Sequence, residues 1–170
     1  MNGEIVNRVA KSKLISFDLE EYYSQRKRVM IDLKDWLYQG LIIKEKDFRE
    51  QVKNHDWSFY SEKNVAIVCS VEAIVPTWAY MLLTISLEPV VNMVVLGDFE
   101  QLEIALFNQA LAKVDLDKFK DAKVVVNGCS KLPVPDYAYV EVTRLLRPYA
   151  SSIMFGEPCS TVPLYKARKG

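Results

Sequence analysis

Three cysteines, Cys69, Cys129 and Cys159, each stand directly before a serine, and each Cys-Ser pair is followed within a few residues by Val-Pro. A thiolate is both a strong nucleophile and a soft metal ligand, so a thiol written three times raises two chemistries: metal or cluster ligation, and thiol-based group transfer. Two carboxylates keep the same rhythm, in Gly97-Asp98 and Gly156-Glu157. Three thiolates plus one further ligand suit tetrahedral zinc or an iron–sulfur cluster. Asp98, Glu157, Glu72 or an exogenous ligand are candidates for the remaining position. Ser70, Ser130 and Ser160 would donate hydrogen bonds to the sulfurs and orient a bound group. No Cys-x-x-Cys is present, so the spacing matches no standard zinc or ferredoxin motif. Buried cysteine also serves as a small hydrophobe, so the metal reading rests on convergence rather than on residue type.

Other chemistries find less support. The only histidine, His55, falls in Asn54-His55-Asp56-Trp57 and reads as a helix-end residue. Without a second histidine or a G-x-S-x-G elbow, a Ser-His or Cys-His triad is not expected, and no catalytic residue is assigned. No G-x-G-x-x-G or Walker pattern follows a strand, which argues against nucleotide binding. Trp36, Trp57 and Trp78 read as core or interface aromatics.

The elements that would position the thiols recur at an offset of 59 residues: Val65 with Val124, Ile67 with Val126, Val75-Pro76 with Val134-Pro135, Ala79-Tyr80 with Ala138-Tyr139, and Leu87 with Leu146. Cys69 faces Gly128 and Ser70 faces Cys129, so one loop is a residue shorter. The apolar, β-branched runs at 64–68 and 123–127 predict buried strands. Helices are expected over 77–88 and from about Asp136, with a crossover helix over 99–114. Further strands are expected at 93–97 and 152–156. The 77–88 stretch is almost wholly apolar, which implies burial on more than one side or cover by a partner chain.

The expected fold is α/β: a four-stranded parallel sheet from two tandem β-α-β repeats, 61–100 and 119–160, within a single domain spanning 1–170. Residues 1–60 form an N-terminal β-rich extension. There the alternating runs 14–19 and 29–33 suggest a hairpin, and 46–52 a helix. In one parallel sheet, Cys69, Asp98, Cys129, Glu157 and Cys159 would all lie beyond the carboxyl ends of the strands.

Composition bounds the partners. Half the residues are apolar, and 22 basic residues balance 22 acidic ones. No net field favours nucleic acid or an anionic membrane. The start MNGEIVNRVA has no apolar core of a secretory signal, so a cytoplasmic location is expected, with free thiols rather than disulfides.

The residues Glu4 to Ala10, GLIIKEKDFRE (40–50), NHDW (54–57), AIVPTWAYMLL (73–83) and GEPCSTVPLYK (156–166) resemble an uncharacterised bacterial family. It is classed as a domain of unknown function and is common in Bacteroidetes-type bacteria. Its members often lie beside genes of the sulfur-mobilisation (SUF) machinery, so the resemblance implies an accessory role in iron–sulfur cluster assembly, with partners among those proteins. Three functions are therefore expected of the sequence: a metal or iron–sulfur binding protein, a cysteine-dependent sulfur- or acyl-transfer enzyme, or a non-catalytic, oligomeric interaction module with structural cysteines.

Overall fold

The structure is a computed structural model and describes residues 13–128, 131–157 and 159–168. Along the chain run β1 (Leu14–Asp18), β2 (Arg28–Asp32), α1 (Glu45–Asn54), β3 (Asn64–Val68), α2 (Thr77–Leu87), β4 (Met93–Leu96), α3 (Phe99–Leu111), β5 (Lys123–Asn127), α4 (Asp136–Leu146), β6 (Ser152–Glu157) and β7 (Ser160–Lys166). The protein is mixed α/β, and its larger sheet has four strands, mostly parallel.

These elements divide between two compact units. A continuous unit holds Ser24–Leu106; a discontinuous unit combines Met1–Tyr23 with Phe107–Gly170. Each has its own sheet. In the continuous unit the order is β2-β3-β4, all parallel, and in the discontinuous unit it is β1-β5-β6-β7. The four strands expected in one sheet thus fall into two. Helix α3 begins in the continuous unit, where Leu102 and Leu106 bury against Ala66, and ends in the discontinuous one, where Phe107 and Leu111 join another core. It therefore connects two cores instead of crossing one sheet.

The expected N-terminal hairpin is also replaced. β1 and β2 are strands, but β1 lies parallel to β5, with Leu14 opposite Lys123, and β2 lies parallel to β3, with Arg28 opposite Asn64. Both pairings bury a strand that a lone hairpin would leave half wet: Phe17 and Ile31 are almost fully covered. The helix expected at 46–52 is present as α1.

Within the continuous unit, Val65 and Ile67 meet Ala79, Leu83 and Leu87 of α2 and Phe48 and Val52 of α1. In the discontinuous unit, Val124 and Val126 meet Ala138, Val142 and Leu146 of α4. Pro76 and Pro135 occupy the cap positions of α2 and α4 with nearly equal backbone angles. There a fixed φ suits the start of a helix and the missing N–H costs little.

The units differ at the last parallel strand. β6 is covered by β7, which runs antiparallel with Phe155 opposite Val162 and Glu157 opposite Ser160. Gly156, at φ +117°, makes this return possible: a Cβ there would lie 2.6 Å from the Ser160 carbonyl oxygen. β7 is an addition to the strands expected from the sequence. Pro163 argues against a central strand, yet a proline is tolerated on an outer strand beside the register shift at Ile153/Met154. β4 is followed by Gly97, Asp98 and then α3, and with β2 it is one of the two outer strands of its sheet.

Candidate functional site

In sequence, two of the three Cys-Ser pairs follow β3 and β5, and a carboxylate binds residues of the loop after each of these strands. In the continuous unit, Asp32 ends β2 and caps the short 3-10 helix Leu33–Trp36. Its Oδ2 accepts the Ser70 hydroxyl at 2.5 Å, and its Oδ1 accepts the Ser70 amide at 3.1 Å and the Lys34 amide at 3.0 Å. Desolvation pulls the Asp32 carboxyl upward, but the Ser70 and Lys34 hydrogen bonds outweigh it and lower its pKa to about 2. In the discontinuous unit the latch is Glu20, whose Oε1 accepts the amides of Lys131 at 2.7 Å and Leu132 at 3.2 Å. Neither carboxylate is among the residues the sequence pattern marks as candidates. The signal for the strand-end position is the pair of like phrases Phe17-Asp18-Leu19 and Ile31-Asp32-Leu33.

Cys69 is half-buried against the core of the continuous unit, and its Sγ lies 3.4 Å from the Val71 carbonyl oxygen. The Ser70 hydroxyl is engaged with Asp32. Asp98 is exposed and caps α3, accepting the Glu100 amide at 2.8 Å and the Gln101 amide at 3.3 Å. Glu157 and Ser160 are exposed and face each other across the β6–β7 turn, and Cys159 lies exposed in that turn. Glu72 is exposed in the loop after Cys69. Cys129 and Ser130 lie outside the described residues.

The single sheet edge expected to join the candidate ligands is therefore divided. Cys69 and Asp98 follow strands of the continuous unit; Glu157, Cys159 and Ser160 belong to the discontinuous one. Among the described residues, no group of three or more His, Cys, Asp or Glu side chains could hold a metal ion. Those residues assemble no donor set for zinc or an iron–sulfur cluster.

What the geometry does assemble is apolar. In the continuous unit a groove of about 370 Å³ is lined by Thr77, Tyr80, Met81, Thr84 and Ile85 of α2 and by Leu96 of β4. Met81, Ile85 and Leu96 are each 60 % exposed or more. In the discontinuous unit a groove of about 460 Å³ is lined by Asp136, Tyr139, Val140 and Thr143 of α4 together with Phe155 and Leu164. Thr77, Tyr80, Met81, Thr84 and Leu96 stand 59 residues before Asp136, Tyr139, Val140, Thr143 and Phe155. Leu164 has no such counterpart, because it comes from β7. Burial, and then Cys69, push the Tyr80 phenol above its ordinary range.

His55 ends α1 among aromatics. Its ring packs on Trp36 and Trp57, and Nε2 lies 3.1 Å from the Tyr60 hydroxyl. These contacts suit a structural histidine. Among the described residues, no helix is long and apolar enough to cross a membrane.

A family model described as "Protein of unknown function (DUF2480)" matches residues 3–167. The chain belongs to this family. No curated protein and no solved structure matches.

Proposed function

We propose that this DUF2480 protein is a non-catalytic interaction module that works through its apolar grooves. The observation that carries this reading is the outward face of α2. A helix apolar on all sides is normally covered all round, yet Met81 and Ile85 are open to solvent beside Leu96. The grooves also have the composition of binding sites, mostly apolar with a few hydroxyls to fix orientation. We further read the two β-α-β segments as one tandem design. The matched register of Asn64 opposite Met93 and Lys123 opposite Ser152 supports this, as do the paired positive φ angles of Glu62 and Asp121.

A thiol–metal reading narrows to the discontinuous unit, where Cys129 and Cys159 follow neighbouring strands of one sheet. Metal analysis of protein prepared without oxygen separates the two. The module reading expects no stoichiometric metal, and no change on replacing Cys69, Cys129 and Cys159 together by serine. One metal or cluster per chain, lost in that variant, would replace the module reading with the thiol one. As a positive test, an apolar fluorescent dye should bind the discontinuous unit's groove and be weakened by Val140→Glu. Indifference of dye binding to that change in a folded protein contradicts a working groove.

A further inference from the structure

We propose that the continuous unit pairs with a second copy of this chain, β4 against β4 and α2 against α2, across a two-fold axis. This rests on the interaction-module reading and names its partner.

The first observation is the strand edge. Met93-Val94-Val95-Leu96 ends its sheet without a charge, a proline or a covering strand from its own unit, and such edges invite pairing. The Gly97 amide donates to the Ile67 carbonyl across β3–β4. By alternation, the amides of Val94 and Leu96 point away from β3, toward an incoming strand.

The second observation is how the same chain covers the corresponding edge elsewhere. β6, whose positions 152–155 match 93–96 at an offset of 59, carries an antiparallel strand on that side. That strand also places Leu164 in the groove beside Val140 and Phe155. The continuous unit thus lacks a piece of defined chemistry: an antiparallel strand with an apolar side chain beside it.

The third observation selects a second copy as the source. Two identical strands related by a two-fold axis in this way are antiparallel, the same sense in which β7 covers β6. The lining of the α2 groove contains no charged residue. The patch is therefore compatible with itself, apolar surface meeting apolar surface with no like charges opposed. Met81, Ile85 and Leu96 of each copy would fill the groove of the other, as Leu164 fills its own.

Sedimentation equilibrium of the full chain over a roughly hundredfold concentration range tests this. Wild type is expected to form a dimer and no larger closed species. Ile85→Glu buries a charge in the contact and should weaken the dimer by about ten-fold or more. Leu96→Pro removes one outward donor while sparing the β3–β4 bonds, and should act in the same direction. Val140→Glu, on the other groove, should leave association unchanged; circular dichroism checks that each variant is folded. A wild type monomeric throughout overturns the proposal while leaving a groove for a foreign partner, the module reading, intact. A dimer broken by Val140→Glu but not by folded Ile85→Glu overturns it too, placing the contact on α4.

Discussion

Positions 59 residues apart in the two units are covered alike up to the last parallel strand. Val65 and Val124, Ala79 and Ala138, and Leu87 and Leu146 are all fully buried, and Tyr60 and Phe119 are nearly so. Each unit draws one parallel strand from the first thirty-two residues, and each latches its Cys-Ser loop with a carboxylate from the segment at or just after that strand. They then part. The discontinuous unit returns through Gly156 and lays β7 over β6, while the continuous unit turns at Gly97 into α3 and leaves β4 outermost. Core residues set the stability of such a segment; the path of the chain after its last strand sets whether its edge remains available. In one sheet β6 is covered by the strand that follows it, and in the other, among the described residues of its own unit, β4 is not.

The strongest test of the likeness is paired truncation. Leu87→Ala and Leu146→Ala remove the same side chain from two fully buried sites, and each is expected to cost about 2–5 kcal/mol. Urea unfolding should give costs within about 1 kcal/mol of each other if the cavities relax similarly. A cost confined to one variant would mean that the two cores are not comparable.

The next change should separate the units. Arg28 pairs with Glu103 through Nε at 2.5 Å and Nη2 at 2.9 Å, with both side chains largely covered. The discontinuous unit has Leu14 where the continuous one has Arg28, and so lacks this pair. Arg28→Ala leaves the Glu103 carboxylate without its bidentate partner and should cost about 2–3 kcal/mol. Exchange of β3 amides should accelerate more than that of β5 amides; equal acceleration would contradict a local role.

The latches predict a smaller, pH-dependent difference. The folded Asp32 carboxyl, at about 2, lies below its ordinary value of 3.8. Its contribution is therefore complete above 3.8 and disappears as pH falls through about 2. Asp32→Asn should lower stability near neutral pH by about 1 kcal/mol, and the difference from wild type should shrink in acid. A difference that grows in acid has the wrong sign. The smallest effect belongs to the thiols: Cys159, exposed, should alkylate faster than half-buried Cys69, and Cys159→Ser should change stability by less than about 0.5 kcal/mol.

Much of the fold is written locally. Val65 to Val68 and Val124 to Val126 announce buried strands through β-branched runs, and Pro76 and Pro135 announce the helices after them. Sheet membership is not legible in the same way. β1 pairs with β5 across most of the chain's length, and both neighbours look alike to a period-two pattern. The placement of the candidate ligands is illegible for the same reason: strand ends say where Cys69, Asp98, Glu157 and Cys159 fall only when sheet membership is known, and these four divide between two units. The α2 groove is half legible. All-round apolarity predicts burial or a partner, and only the structure identifies which side chains remain open.

Hydrogen exchange of β4 and β6 amides at low and high protein concentration tests the open edge most directly. At low concentration the Val94 and Leu96 amides should exchange faster than those of β6, and at high concentration they should gain protection while β6 stays unchanged. Equal protection of β4 and β6 at the lowest concentration, or no concentration dependence in β4, would contradict an edge completed by a second copy.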